Sequence, residues 1–269
     1  MNLKAYFAHK TDKGKVRDNN EDSVLVGEEL NFAAVADGMG GHNSGELASS
    51  IAVKVLKEQL ETLIKGKIKP PDFNSAFSLE TNQLGFAATL ANKIIYEASK
   101  NMPENKGMGT TLSGIFINGN KASIAHIGDS RIYVLRGGKL QQITQDHSLV
   151  MEQVRKGIIT KEQAEVSKMQ NILTRALGTR EKSEIDSMEF ELAGNDRFLM
   201  CTDGLFKPLS ETEIEKTMAD NPDPSAACEV LVAKANDAGG PDNVTVAIID
   251  IKAKTWKDSM QGLLGRLHA

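Results

Sequence analysis

Five segments far apart in the chain each place a carboxylate at the end of a short apolar run. Asn20-Glu21-Asp22 precedes Ser23-Val24-Leu25-Val26, and Asp37-Gly38 follows Phe32-Ala33-Ala34-Val35-Ala36. Asp129 follows the run 122–128, Asp203-Gly204 follows Phe198-Leu199-Met200-Cys201-Thr202, and Asp242-Asn243 precedes the run 244–249. Any one of these reads as a turn, since Asp-Gly is a favoured turn pair. Together they predict carboxylates converging at one edge of a pair of sheets. Converging carboxylates repel one another unless a cation lies among them. The donors are oxygens, HExxH and CxxC are absent, and so Mg²⁺ or Mn²⁺ suits the set better than zinc. His9, His42, His126, His147 and His268 are scattered and read as structural or solvated. Cys201, inside an apolar run, reads as a buried inert thiol.

The acids need elements to hold them. The runs 23–26 and 31–36 read as a strand pair across a polar turn. Leu47, Ile51, Val55 and Leu60, with Ala48, Ala52, Leu56 and Leu63, form a helical stripe that Gly66 and Pro70-Pro71 end. A second helix is predicted over roughly 75–100, on Leu84, Ala87, Ala88, Ala91, Ile94, Ile95 and Ala98, and a short loop would make the two an antiparallel pair. Strands follow over 112–117, 122–127, 131–135 and 140–143, punctuated by Asn118-Gly119-Asn120 and Gly137-Gly138. The stretch 146–180 is polar and broken, with short helical pieces near 148–156 and 160–167. Strands near 185–192 and 196–201, helices over 210–220 and 224–237, and a strand over 243–251 complete the reading. No repeat or linker divides the chain, which predicts one domain of class α+β, antiparallel sheets with paired helices packed outside.

Composition narrows the function classes. The chain has 269 residues, 40% apolar and 25% charged, so it can bury a sizeable core and is neither disordered nor a coiled coil. Lys and Arg total 32 against 36 acids, a net charge of -4 with no basic block, which argues against nucleic acid as a partner. No apolar run is long enough for a transmembrane helix, and the first residues lack a secretory pattern. Two cysteines build no disulfide framework, and a cytoplasmic setting is expected.

Eight motifs stand in order: Arg17-Asp18-Asn19-Asn20-Glu21-Asp22, Val35-Ala36-Asp37-Gly38-Met39-Gly40-Gly41-His42, Gly109-Thr110-Thr111, His126-Ile127-Gly128-Asp129-Ser130-Arg131, Thr144-Gln145-Asp146-His147-Ser148, Leu173-Thr174-Arg175-Ala176-Leu177-Gly178, Thr202-Asp203-Gly204-Leu205 and Asp242-Asn243-Val244-Thr245. Over residues 1–251 the chain closely resembles the compact bacterial form of the metal-dependent serine/threonine protein phosphatases of type 2C, the PPM family. The resemblance implies a sandwich of two antiparallel β-sheets flanked on both faces by paired helices, with a two-metal centre at one end. It implies that Asp37 bridges two Mn²⁺ or Mg²⁺ ions, that the Gly38 carbonyl completes the first site, and that Asp203 and Asp242 hold the second ion. Asp22, with Glu21, would support water around the ions from behind, Asn243 would orient Asp242 or cap its strand, and Asp129 with Asp203 would hold a weaker third ion. Arg17 would bind the substrate phosphate, a task for which a guanidinium is well shaped.

By the same resemblance a hydroxide bridging the metals attacks phosphorus in phosphoserine or phosphothreonine of a protein, and the enzyme opposes a bacterial Ser/Thr kinase as a monomer. A phosphatase-like binding module without activity is the alternative; the complete acid set speaks against it. Met39 stands where many eukaryotic relatives carry a histidine proposed as general acid, so leaving-group protonation stays unassigned. Residues 146–172 resemble the mobile flap of bacterial members, without the acidic run and His-Pro found in many of them. Beyond the motifs, Trp256, Met260, Leu263, Leu264 and Leu267 give the tail 252–269 an amphipathic stripe with a basic character.

Overall fold

In the computed structural model residues 3–40 and 44–253 are described. Among the described residues eleven strands form two antiparallel sheets. In the first sheet the order is β1 (Leu3–Asp12), β11 (Val244–Ala253), β10 (Arg197–Cys201), β7 (Arg131–Arg136) and β8 (Lys139–Gln142). In the second it is β2 (Asp22–Gly27), β3 (Phe32–Met39), β5 (Leu112–Asn118), β6 (Lys121–Ile127) and β9 (Asp186–Glu191), with the two-residue β4 (Gly109–Thr110) paired to the end of β3. Helices α1 (Ser44–Lys65) and α2 (Leu79–Asn101) cover the second sheet. Helices α6 (Glu211–Asp220) and α7 (Pro224–Asp237) lie against the first. Three further short α-helices among the described residues are α3 (Leu149–Arg155), α4 (Lys161–Glu165) and α5 (Asp203–Phe206).

Three apolar layers explain why the central strands read as continuous apolar runs rather than as an alternating pattern. Ala33 and Val35 of β3 point between the sheets with Ile115, Ile124, Phe198, Met200, Ala247 and Ile249. Their neighbours Phe32, Ala34 and Ala36 point the other way, onto Ala52, Leu56 and Leu84 of the helices. Leu199, Cys201, Val246 and Ile248 likewise face Ile214, Leu231 and Ala235 on the opposite side. A strand buried on both faces needs apolar residues at every position. Each large side chain so buried contributes roughly 1.5–3 kcal/mol.

The helices follow from local chemistry. In α1 the buried line is Ala48, Ala52, Leu56, Leu60 and Leu63. Leu47 and Ile94, assigned by periodicity to the inner stripes, are 40% and 43% exposed, being one residue and so about 100° away from Ala48 and Ile95. Ser78 caps α2 by accepting from Thr81 N–H, Ser210 and Glu213 form a reciprocal capping box on α6, and Asp223 followed by Pro224 opens α7. The loop between α1 and α2 is longer than its reading as short, running 66–78. The Gln83 side chain ties it down, donating to the carbonyls of Leu63 and Ile68.

Strand β1 has no counterpart in the sequence reading. It pairs with β11 along its whole length, from Leu3↔Ala253 to Asp12↔Val244. As an edge strand it carries Lys4, Lys10 and half-exposed positions that blur the apolar signal. Residues 146–172 contain α3 and α4 and are closed at their base by the bridge Ser148↔Leu173. Gly41, His42 and the tail from residue 254 onward, Trp256 included, lie outside the described residues.

Candidate metal centre

The five acidic segments meet at one end of the sandwich. Asp22 and Asp37 are direct cross-strand partners in β2 and β3. Like charges opposite one another destabilise a strand pair, so this register needs a counter-charge. Asp203 opens α5 at the end of β10, Asp242 lies just before β11, and Asp129 sits between β6 and β7. Neither Asp-Gly pair is a turn: Asp37-Gly38 lies within β3, and Asp203-Gly204 begins a helix.

Both glycines are dictated by backbone packing. A Cβ on Gly38 would lie 2.0 Å from the Gly45 carbonyl oxygen, and one on Gly204 would lie 1.9 Å from that of Asn243. Those approaches press the acid-bearing backbones against the start of α1 and the loop before β11.

Hydrogen bonds fix the backbone of Asp37. Its N–H donates to Thr111 Oγ1 at 2.8 Å, and its carbonyl accepts from Thr111 N–H and Thr110 Oγ1, both at 2.9 Å. Thr111 Oγ1 also meets Ser130 Oγ at 2.6 Å, which couples Asp37 to the turn bearing Asp129. Thr110 and Thr111 are thus positioning residues as well as the start of a strand. Thr202 adds a link that sequence reasoning missed: its hydroxyl donates to Asp22 Oδ2 at 2.8 Å and accepts from Thr245 N–H. Only the crossing of β2 and β10 reveals it.

Asn243 does not orient Asp242 through its side chain. Its backbone N–H donates to Asp242 Oδ1 at 2.8 Å, while its side chain accepts from Glu21 N–H and donates to the carbonyls of Lys13 and Asn19. It therefore staples the β1–β2 loop, which carries Arg17, to the centre. Arg17 Nη2 donates to Asp242 Oδ2 at 2.7 Å. Lys207, absent from the sequence reading, donates to Asp203 Oδ2. Nearby, His126 and His147 prove structural, since both rings are buried and tied to Ser113, Gln145, Gly128 and Asp186. Cys201 is buried, and burial raises its thiol out of the reactive range.

The electrostatics show what the cluster lacks. Burial, with Asp203 and Asp242 close by, pushes Asp22 up to about 7. Burial and Asp203 likewise push Asp129 up to about 7. Asp37 is held well above the carboxylate range by burial and then by Asp203, Asp22 and Asp129. Asp22 Oδ1 and Asp203 Oδ1 are buried without any hydrogen-bond partner. Unpaired buried acceptors amid mutual repulsion are the environment a hard divalent cation satisfies. Among the described residues no three acidic, histidine or cysteine side chains close on a single point. Asp242 is engaged by Arg17 and Asp203 by Lys207, so the carboxylates surround the centre without closing on it.

Residues 10–234 match the family described as Protein phosphatase 2C. The chain belongs to that family. It is 36% identical over 256 residues to the serine/threonine phosphatase stp of Listeria welshimeri, a match covering 90% of this chain and 94% of that one. It is 38% identical over 245 residues to the serine/threonine protein phosphatase PstP of Mycobacterium tuberculosis, covering 91% of this chain and 45% of that longer one. The crystal structure of the Mycobacterium tuberculosis phosphatase superposes with a TM-score of 0.82 at 36% identity, covering 93% of this chain and 99% of that one. A structure of the PstP catalytic domain in complex with two manganese ions superposes at 0.79, again at 36% identity, covering 93% and 100%. Type 2C membership agrees with the layered sandwich and with an oxygen-donor centre at its end.

Proposed function

We propose that this chain, a metal-dependent serine/threonine protein phosphatase, hydrolyses phosphoserine and phosphothreonine through two divalent ions held by Asp37, the Gly38 carbonyl, Asp203 and Asp242. The observation that carries this reading is the pair of orphaned buried oxygens, Asp22 Oδ1 and Asp203 Oδ1, in a cluster where burial and neighbouring carboxylates raise the pKa of Asp22 and Asp37. Such ions, when bound, supply Lewis-acid activation of water and neutralise charge on the phosphoryl oxygens. The two manganese ions of the PstP structure support a centre for Mn²⁺ or the similarly oxygen-bound Mg²⁺.

The chain's own residues supply positioning and charge. Thr110 and Thr111 fix the Asp37 backbone, and Thr202 fixes Asp22. The Arg17 side chain is about half exposed, on a loop that Asn243 holds beside the centre. Its Nη2 now rests on Asp242, and its remaining donors are suited to the two oxygens of a phosphate. Met39 carries no proton to give a leaving alkoxide, so no side chain is assigned that task. The intended substrates are phosphorylated proteins, a Ser/Thr kinase or its targets among them, and we place the enzyme in the cytoplasm as a monomer. Among the described residues no helix is long and apolar enough to cross a membrane.

A phosphothreonine peptide tests this directly. Hydrolysis should require added Mn²⁺ after chelation, and Asp203→Asn should lower turnover by far more than tenfold while the chelated protein keeps its fold. Retention of more than about a tenth of the activity, a barrier change below about 1.4 kcal/mol, would show that Asp203 holds no catalytic ion.

A further inference from the structure

Lys207 follows Asp203 by one helical turn, just past the end of α5. Its ammonium donates to Asp203 Oδ2 and, at 2.7 Å, to Asn171 Oδ1 near the end of the flap residues. Its side chain is only 25% exposed. Asp203 thus has its two oxygens divided. Oδ1 is buried and unpartnered, while Oδ2 is taken by the ammonium.

A third ion held by Asp129 and Asp203 would need that same edge of the cluster. A divalent cation and an ammonium on one carboxylate oxygen compete and repel. Arg17, half exposed, can leave Asp242 for a phosphate, whereas Lys207 is more buried and is also held by Asn171, so a third ion does not fit this edge. We infer that Lys207 is a built-in counter-cation of the Asp129–Asp203 edge, taking the place of a third ion, and that through Asn171 it latches residues 146–172 to the metal centre. The inference rests on the two-ion reading above. Lys207 is a positioning residue: it holds a carboxylate and a segment, and it touches no reacting atom.

Isothermal titration calorimetry of the full chain with Mn²⁺, after chelation, counts the ions. Two are expected for the wild type and for Asp129→Ala. Lys207→Met keeps the volume and removes the charge; it should gain a weaker third site, lost again when Asp129→Ala is added. Hydrogen exchange over residues 158–172 in the Mn²⁺-loaded protein reads the latch. Both Lys207→Met and Asn171→Ala should exchange about tenfold faster there, the scale of one lost charge-assisted hydrogen bond, while Asn171→Ala still binds two ions.

Three ions in the wild type, one of them lost in Asp129→Ala, would overturn the counter-cation. So would a count of two that Lys207→Met leaves unchanged. Unaltered exchange in both flap variants would overturn the latch. If Lys207→Met does not fold, Lys207→Gln takes its place, and the wild-type and Asp129→Ala counts decide regardless. A wild type that binds no Mn²⁺ at all would sink the two-ion reading itself, a result distinct from a count of three.

Discussion

Arg17 and Asp242 make an ion pair at 2.7 Å between residues at opposite ends of the chain. Each is the other's counter-charge until a phosphate and a metal ion compete for them. Removing the guanidinium should therefore separate two affinities. Arg17→Ala should raise KM for a phosphopeptide about tenfold or more, the scale of one lost charge-assisted hydrogen bond. The same change frees Asp242, so Mn²⁺ affinity measured by calorimetry should hold or rise. A variant that lost Mn²⁺ affinity and kept its KM would contradict the assignment of Arg17 to phosphate. At this scale the acids were legible because Asp and Glu at strand ends stand out against apolar runs. Lys207 and Thr202 were not legible, since a lysine after a helical turn and a threonine after a strand are ordinary surface and core residues until their partners are known.

At the level of elements, the centre depends on how closely backbones approach. The α5 backbone at Gly204 lies against the Asn243 carbonyl, where an added Cβ would stand at 1.9 Å. Backbone cannot move aside as a flexible side chain can. Gly204→Ala should cost more than about 3 kcal/mol, at the upper end for overpacking, and should shift both Asp203 and Asn243. Thermal melting of the chelated protein measures the first effect, and Mn²⁺ titration of whatever remains folded measures the second. A melting temperature within error of the wild type would show that the loop before β11 yields freely. The glycines were visible in the sequence as Asp-Gly pairs, but the turn they suggested does not exist. The same pair serves a strand in one place and a helix start in the other.

For the molecule as a whole, the polar layer behind the centre makes stability depend on pH. His126 is fully buried between Ser113 and the Gln145 carbonyl, with the His147 ring at 4.9 Å and Asp146 and Asp186 close by. Burial, and then His147, lower it from 6.5 to about 4. Its folded pKa is depressed, so the stability of the neutral ring is fully present above about pH 6.5. It is lost as the pH falls toward 4, by about 3 kcal/mol over the whole span. Asp22 and Asp129, raised to about 7, work in the opposite direction in chelated protein, which gains stability as they protonate. Comparing His126→Gln with the wild type cancels that shared contribution. Whatever its offset at pH 7.5, the variant should lose less stability than the wild type between pH 7 and 5. Parallel melting curves across that range would rule out His126 as the source.

The sequence by itself determined antiparallel strands with helix pairs packed outside and the acids of the centre, and its eight motifs, through their resemblance, the family and its two-sheet sandwich. The strands, helices and acids are written in local signals: short apolar runs between turn residues, stripes of period 3.6 ended by Gly and Pro, and Asp at the ends of strands. Strand β1 escaped because an edge strand mixes lysines with half-buried positions. Only the tertiary structure decided which partner meets which carboxylate, since Arg17 reaches Asp242 at the ends of the paired strands β1 and β11, and Thr202 reaches Asp22 from one sheet to the other. It also showed that Asn243 holds Asp242 through its backbone N–H while its side chain staples the Arg17 loop, and it placed the Lys207 ammonium on Asp203. Residue type fixes what a side chain can donate, accept or charge. Which partner satisfies it is set by the crossing of strands and the reach of loops, and these depend on the packed whole.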